Sequence, residues 1–209
     1  EETIEGFELK TYESLGYEFK PSRLKKMIKV VKHKEQDVAF ENKCWCLMYD
    51  LGFRRLNKNR KFSLPYGKNK GETKQIDVVA VNDDVVILIE CKSSEIQTTE
   101  DHRPEIDSLK EKINGFKQSI KELFGGARKI KYILATNNQT IGDTSKEILE
   151  NADVFHLNNP SQKYLRELID HYKGSAHYQF MGMLFRGELI NSNKYRIPAI
   201  KGKMGGKTY

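Results

Sequence analysis

The chain has 209 residues, of which 38% are hydrophobic and 31% are charged, and its formal net charge is +7. This length and composition are typical of a globular protein with a substantial core, and no apolar run approaches the length of a membrane span. The three cysteines lack the paired spacing of a disulfide scaffold or a zinc site, which favours a reducing, cytoplasmic compartment.

Positive charge is concentrated in three stretches that contain no acidic residue. Residues 20–34 hold seven Lys and Arg, and residues 54–61 and 194–207 hold five each. Any one of these runs is typical of a solvated face. Three such runs in a small protein favour a partner with a phosphate backbone.

The N-terminal part of the chain carries only weak patterns. Residues 1–20 are expected to form an edge strand or an extension packed on the core. A helix is predicted from Ser22, on the basis of a short apolar stripe formed by Leu24, Met27, Ile28 and Val31. We assign residues 1–34 to an N-terminal extension.

A clearer helical pattern covers residues 35–51, and Gly52 follows as the C-terminal cap. The apolar positions of this helix share one face: Phe40, Cys44, Leu47, Met48 and Leu51. Glu41 lies on the same side, where an acid is unexpected. Glu41 is therefore a candidate functional residue, although a position at the rim of the apolar stripe is the alternative.

The chain is organised around an apolar hairpin predicted over residues 75–92. Residues 53–64 precede it as a strand, a basic bend and a return, and a loop rich in Gly and Lys follows them. Val, Ile and Leu fill the hairpin, and Asn82-Asp83-Asp84 interrupt the run in its middle. The polar break predicts a tight turn with Asp83 and Asp84 as its two central residues.

This turn determines which residues of the hairpin face each other. Asp77 then faces Glu90 and Gln75 faces Lys92, and all four lie on one face of the sheet. The opposite face is apolar: Ile76, Val78, Ala80, Ile87, Ile89 and Cys91. A three-residue turn would instead put Asp77 and Glu90 on opposite faces.

Two carboxylates that face each other across a sheet repel. Their β-carbons lie about 5 Å apart, and the repulsion at an effective dielectric near 20 is on the order of 3 kcal/mol. Lys92, a shared proton or a divalent cation can offset this repulsion. Mg²⁺ or Mn²⁺ fits best, because one lysine opposes two acids and both ions prefer oxygen ligands.

Beyond the hairpin, residues 93–103 are polar and are predicted to be mobile, with His102 on the surface. Pro104 opens the longest predicted helix as its first residue, and Gly125-Gly126 end it. A strand is predicted over residues 129–136.

In the last third of the chain, the predicted secondary structure changes at Gly174 from mainly helical to strands. A short helix from Asp143 or Thr144 to Asn151, a strand over 154–157 and a helix from Pro160 come before it. Strands over 178–189 and 194–200 and a basic, glycine-rich tail come after it. We therefore assign residues 35–173 to the main domain and 174–209 to an appendage.

Asp77, twelve intervening residues and then Glu90-Cys91-Lys92, preceded by a helix with Glu41, resemble the PD-(D/E)xK superfamily of restriction-endonuclease-like nucleases. The predicted order of helix, three strands, helix and strand is similar to the shared core of that family. The resemblance implies an α/β fold with a restriction-endonuclease-like core, to which this chain adds helices and a C-terminal hairpin-like appendage.

The resemblance also implies a metal-dependent nuclease. Asp77, Glu90 and the backbone carbonyl of Cys91 would be ligands of Mg²⁺ or Mn²⁺, and Lys92 would be the catalytic lysine. Glu41 would be an auxiliary catalytic acid and metal ligand. One departure is that Ile76, rather than proline, precedes Asp77.

Two further points follow from resemblances. Gln75 occupies a position where some members of the superfamily carry a polar residue that lines the site. Residues 196–209 resemble a segment of DGQHR-domain proteins, which occur with DNA-modification and phage-defence systems. The second resemblance implies a bacterial defence setting and a larger parent protein.

The predicted function is a Mg²⁺-dependent DNA endonuclease in restriction or antiphage defence, acting as a homodimer or in a larger defence complex, with no membrane partner. A Holliday-junction or structure-specific nuclease is one alternative. A DNA-binding or assembly module that keeps the fold without cutting is another. In a purely structural alternative, Lys92 bridges Asp77 and Glu90.

Overall fold

A computed structural model describes residues 2–5, 9–14, 17–24, 27–31, 35–67, 71–126, 128–185, 203–204 and 207–208. The chain divides into two compact units, residues 1–39 and 40–209. The predicted division into residues 1–34, 35–173 and 174–209 stays a prediction. No helix among these described ranges is long and apolar enough to cross a membrane.

The first unit contains a three-stranded antiparallel sheet and a short helix. Its elements are β1 (Glu2–Glu5), α1 (Leu9–Ser14), β2 (Glu18–Pro21) and β3 (Met27–Val31). β3 is the central strand, and it pairs with β1 and β2. The helix predicted from Ser22 is therefore wrong, because the β-branched residues Ile28, Val30 and Val31 favour a strand once partners lie on both sides.

The second unit is built on a five-stranded mixed sheet. Its elements as far as the sheet's central strand are α2 (Gln36–Asp50), β4 (Arg55–Leu56), β5 (Ser63–Pro65), β6 (Thr73–Gln75), β7 (Val78–Val81) and β8 (Val85–Glu100). The elements that follow are α3 (Arg103–Phe124), β9 (Lys129–Ile141), α4 (Asp143–Asn151), β10 (Val154–Leu157) and α5 (Asn159–Leu184).

The strand order in the sheet is β10-β9-β8-β7-β4. The pairs β4–β7 and β7–β8 are antiparallel, whereas β9 runs parallel to both β8 and β10. α2, the meander β4-β7-β8, α3 and β9 therefore follow one another as helix, three strands, helix and strand. The predicted α/β fold class is confirmed.

Helices cover both faces of this sheet, so its central strands are apolar on both sides. One face packs on α2 and α5 through residues such as Cys44, Leu165 and Ile87. The other face packs on α3 and α4 through residues such as Phe116 and Leu149. We call these the α2 face and the α3 face.

A small hairpin, β5–β6, forms a separate two-stranded sheet and is held against α3. The Ser119 hydroxyl of α3 donates a hydrogen bond to the Pro65 carbonyl (2.6 Å). A β-carbon at Gly115, one helical turn earlier, would overlap the Tyr66 backbone. Glycine is thus needed in α3 because the chain after β5 passes directly against the helix.

The C-terminal part of the second unit differs from expectation. α5 consists of two helical segments joined across a kink at Tyr172 (φ −138°, ψ 44°), two residues before the break predicted at Gly174. The strand predicted from residue 178 is wrong as far as Leu184, because the chain continues as a helix. Ala176, Phe180 and Met181 recur at helical spacing and pack on the α2 face.

The strand predicted over 194–200 lies outside the described residues. Of the segment that resembles DGQHR-domain proteins, the structure describes β11 (Lys203–Met204) and β12 (Lys207–Thr208), which pair antiparallel.

Candidate active site

The hairpin β7–β8 has the predicted register. Val78 pairs with Ile89 and Val81 pairs with Val86. The Asn82 amide donates to the Val85 carbonyl (3.0 Å), so Asp83 and Asp84 are the two central residues of the turn. The Asn82 side-chain oxygen also accepts from the Asp84 and Val85 amides (2.9 and 2.7 Å), which explains the polar break in the sequence.

The regular alternation ends at the open end of the hairpin. β6 ends at Gln75 and β7 begins at Val78, so Ile76 and Asp77 lie between strands. The Ile76 amide donates to the Phe62 carbonyl (2.9 Å), and its side chain packs on the α3 face. The predicted placement of Ile76 with Val78 is therefore wrong, because this residue belongs to the β5–β6 hairpin's hydrogen bonding rather than to β7.

Gln75 is affected by the same change of partner. It pairs with Ser63 and is exposed, so the predicted facing pair of Gln75 and Lys92 is wrong. Its role as a residue lining the site stays a prediction.

Asp77 is turned toward α2. One carboxylate oxygen, Oδ2, accepts a hydrogen bond from the Cys91 amide (2.8 Å), and the Asp77 carbonyl accepts from Asn57 Nδ2 (3.0 Å). Asp77 and Glu41 line the same cleft, which has a volume of about 250 Å³. The structure thus brings together the acid of the preceding helix and the acid at the strand end.

Glu90 and Lys92 lie on the α3 side of the same sheet end. Glu90 lines a small pocket with Ile106 and Leu109 of α3. Its carboxylate pairs with Lys74 Nζ (3.2 Å) and Lys92 Nζ (3.6 Å). The prediction that Asp77, Glu90 and Lys92 share one face is therefore wrong for Asp77, because the backbone break at Ile76 reverses its direction.

Three charged residues of this region were not predicted as site residues. Glu105, in the first turn of α3, pairs with Lys92 (3.6 Å), and Lys74 of β6 pairs with Glu90. Arg60 binds Glu41 through two hydrogen bonds, one of them from Nη2 to Oε1 (2.7 Å). The basic run 54–61 marked Arg60 as one of several cations, but only the fold shows its partner.

Glu41 is buried, as the helical pattern predicted, with 8% of its surface exposed. A buried carboxylate is stable only when it is paired or hydrogen-bonded, and the guanidinium of Arg60 supplies both interactions.

The Asp77 carboxyl is the most perturbed acid of the site. Its pKa is raised to about 6, chiefly by burial and also by the charges of Glu90 and Glu41, while the hydrogen bond from the Cys91 amide and the charge of Lys92 oppose the rise. All four predicted side chains at this sheet end are therefore close enough to interact electrostatically. Such a perturbed acid in a cleft is typical of a functional site.

The Cys91 side chain is an unsuitable nucleophile or metal ligand. A hydrogen bond with Cys44 and burial raise the pKa of the Cys91 thiol well above its usual value, so the thiolate is disfavoured. Cys44, Cys46 and Cys91 are all free cysteines. The role of the Cys91 backbone carbonyl as a metal ligand, which the family resemblance implies, stays a prediction.

The donor atoms of the site suit a hard divalent cation, because they are carboxylate oxygens and a backbone carbonyl. Among the described residues, however, no three His, Cys, Asp or Glu side chains come close enough together to form a metal site. Asp77 and Glu41 share a cleft, whereas Glu90 lies across the backbone of β8 from them. A metal bound by all three acids would require their side chains to turn toward one another.

The segment predicted to be mobile is ordered as part of the sheet. β8 continues to Glu100, with an irregularity between Ser93 and Thr98 where the pairing with β9 shifts. His102 is 3% exposed, so its predicted surface position is wrong. Burial lowers the pKa of His102, which keeps the imidazole neutral near Lys92 and Glu105.

No family model matches the chain, and no curated protein matches it. Among solved structures, the chain is similar to the protein of unknown function AF1548, with 15% identity, a TM-score of 0.46, and coverage of 62% of this chain and 67% of the other. It is also similar to EndoMS in a complex with double-stranded DNA (12% identity, TM-score 0.33), covering 64% of this chain and 51% of that one.

A repair endonuclease from Pyrococcus abyssi is a further similar structure, with 13% identity, a TM-score of 0.34, and coverage of 68% of this chain and 65% of the other. All of these TM-scores are below 0.5, so we infer neither activity nor substrate from them.

Proposed function

We propose that the protein is a metal-dependent nuclease that hydrolyses phosphodiester bonds of DNA. The observation that carries the proposal is the state of Asp77. Asp77 and Glu41 line one cleft, and Glu90 and Lys92 lie on the other side of the same sheet end; burial, with the charges of Glu90 and Glu41, raises the pKa of Asp77 to about 6. Repulsion of this kind disappears when a cation binds the acids.

Different residues of the site would take different roles in hydrolysis. Asp77 and Glu90, with the carbonyl of Cys91, would hold Mg²⁺ or Mn²⁺, and Glu41 would complete the set. The ion would stabilise the charge that builds up on the phosphate and lower the pKa of an attacking water. Lys92 would orient that water or neutralise the phosphate, and its contact with Glu105 (3.6 Å) holds the ammonium at this sheet end.

The surface beside the Asp77 cleft fits a DNA backbone. Lys58 and Arg60 line the cleft, and Arg54, Arg55 and Lys61 of the same acid-free run are exposed. Trp45, which also lines the cleft, stacks on the exposed ring of Tyr49 (centroids 5.8 Å apart). Cations beside aromatic rings are the usual elements of a nucleic-acid surface.

Cleavage of plasmid, linear duplex and single-stranded DNA in Mg²⁺ and in Mn²⁺ tests the proposal. We expect the wild-type protein to cut at least one of these substrates, and Asp77→Asn and Lys92→Ala to reduce the rate at least about a hundredfold. Branched substrates beside linear ones separate a structure-specific nuclease from a general one.

Asp107→Asn and Lys110→Ala are matched controls, because these residues form an exposed ion pair on α3 (3.7 Å) outside the site. Both controls should cut as the wild type does. Equal cleavage by wild type, Asp77→Asn and Lys92→Ala would exclude the proposed active site.

A non-cleaving DNA-binding module is the second candidate, and the ion pairs favour it. Glu41 is paired with Arg60, and Glu90 is paired with both Lys74 and Lys92. These acids are thus already neutralised by cations of the chain itself. Salt-sensitive DNA binding without cleavage in any divalent metal would identify this module.

The setting of the activity also remains a proposal. We propose restriction or antiphage defence as the setting, with a homodimer or larger complex as the active form, and the free cysteines favour a cytoplasmic location. Size-exclusion chromatography with light scattering tests the oligomeric state.

A further inference from the structure

A second cavity lies at the opposite end of the sheet from Asp77, between α3 and β9. Its volume is about 620 Å³, within the range of about 300–1,000 Å³ that is usual for small-molecule sites. Ile113, Ile120 and Ile130 form apolar walls, and Tyr132 also lines it. We call it the α3–β9 pocket.

Four cations line the pocket: Lys117 and Lys121 on α3, Arg128 after that helix, and Lys129 on β9, whose ammonium group lies 5.5 Å from the centroid of the Phe185 ring. Lys117 and Lys121 are exposed, lie one turn apart on α3, and both line the pocket. A like-charged pair at this spacing destabilises a helix slightly. Among the described residues, neither ammonium group has an ion-pair partner, so a bound anion would offset their repulsion.

Arg128 adds a third, fixed positive charge. Its guanidinium donates hydrogen bonds to the Asn82 carbonyl (2.9 Å) and to the carbonyls of Phe124 and Gly125 at the end of α3. The guanidinium therefore neutralises the negative end of the helix dipole. Arg128 is held in place whether or not a ligand is present.

The one acid that lines the pocket is already neutralised. Asp153 forms an ion pair with Lys131, whose side chain is 6% exposed. The remaining lining is therefore positively charged at the rim and apolar on the walls.

Tyr132 contributes its ring to the wall of the pocket. The side chain is 5% exposed, and its hydroxyl is buried without a hydrogen-bond partner among the described residues, so the ring rather than the hydroxyl faces a ligand.

We infer that the α3–β9 pocket binds a nucleoside phosphate. Its phosphate would lie between Lys117, Lys121 and Arg128, and its base would pack on the isoleucine walls and the Tyr132 ring. Inorganic phosphate satisfies the cations alone, whereas a nucleoside phosphate also uses the apolar walls.

Isothermal titration calorimetry with ATP, AMP, GTP and inorganic phosphate tests this inference. At least one nucleotide should bind saturably and at least about tenfold more tightly than inorganic phosphate. The double variant Lys117→Ala/Lys121→Ala should weaken binding of that nucleotide at least about tenfold, because two charge-assisted hydrogen bonds are lost.

The double variant Lys110→Ala/Lys173→Ala is the control, because it removes the same charge from exposed positions that do not line the pocket. It should bind as the wild type does. The inference is overturned if no nucleotide binds saturably, if both double variants weaken binding equally, or if inorganic phosphate binds as tightly as the nucleotides. Preferential competition by short duplex DNA would also overturn it, in favour of a second DNA contact.

This site does not depend on the proposed nuclease activity. Asp77→Asn should bind nucleotide with the wild-type affinity, since Asp77 lies at the other end of the sheet. Loss of DNA cleavage with retained nucleotide binding, or the reverse, distinguishes the failure of one proposal from the failure of the other.

Discussion

The two ends of the β7–β8 hairpin differ in regularity and in charge. At the turn end, Asn82 closes a two-residue turn and the residues that follow alternate between two apolar cores. At the open end, the alternation stops at Ile76, and charged groups replace apolar ones. The alternation of β7 therefore holds within the five-stranded sheet and stops at Ile76, whose amide bonds to Phe62 beside the separate β5–β6 sheet.

The largest expected difference between the two ends is in the effect of a substitution on the rate of DNA cleavage. Glu90→Gln should reduce DNA cleavage on the order of a thousandfold, because a neutral amide cannot replace a metal-binding carboxylate. Its melting temperature should stay within a few degrees of the wild type, since Glu90 is only partly buried. Cleavage assays and thermal denaturation of the same sample check both parts. Unchanged cleavage would remove Glu90 from the site.

The next effect is on stability, two residues earlier on the same strand. Leu88 is 2% exposed, so Leu88→Ala should lower the free energy of unfolding by about 2–5 kcal/mol. Urea denaturation measures this change. If Leu88→Ala and Glu90→Gln lower the free energy of unfolding equally, then the turn end is not more important for stability than the open end with its charged residues.

A third difference concerns pH. The folded-state pKa of Asp77, about 6, is above its ordinary value of 3.8, so the folded protein binds the extra proton. Stability from this group is therefore highest below pH 4 and is lost as pH rises from 4 to 6, by at most about 3 kcal/mol. Asp77→Asn should remove this loss and be more stable than the wild type at pH 7.

The difference between Asp77→Asn and wild type across pH 4–7 isolates this contribution from other groups. His156 has the opposite dependence, because burial lowers its pKa to about 4 and stability from it is lost as pH falls below its ordinary value of 6.5. A difference that does not vary with pH would show that Asp77 has an ordinary pKa.

The smallest expected effect is on DNA affinity. Lys58 is exposed and lines the Asp77 cleft, so Lys58→Ala should weaken DNA binding about threefold. It should also reduce the slope of log K against log salt concentration by about one. Fluorescence anisotropy at several salt concentrations measures both quantities. Lys173→Ala, on the exposed surface of α5, should change neither.

The turn end was predictable because its causes are local. Asn82-Asp83-Asp84 form the turn, and the apolar positions on each side follow directly from it. The long helix after Pro104 and the buried position of Glu41 followed equally from periodicity and capping residues.

The predictions that were wrong failed because the structure at those positions depends on residues that are distant in sequence. The direction of Asp77 depends on the hydrogen bond between the Ile76 amide and Phe62, and the burial of His102 depends on the elements around the start of α3. The strand at residues 27–31 forms because β1 and β2 supply partners on both sides. Short apolar runs of this kind fit a helix or a strand until their partners are known.

The tight passage of Tyr66 against Gly115 makes α3 a shared support for both halves of the candidate site. The helix holds the β5–β6 hairpin, which leads directly into Asp77, and ten residues earlier it carries Glu105, the partner of Lys92. These two points lie about 15 Å apart along one helix. Asp77, which lies between β6 and β7, and Lys92 of β8 are thus both connected to one helix, so a shift of α3 would affect the acid and the lysine together.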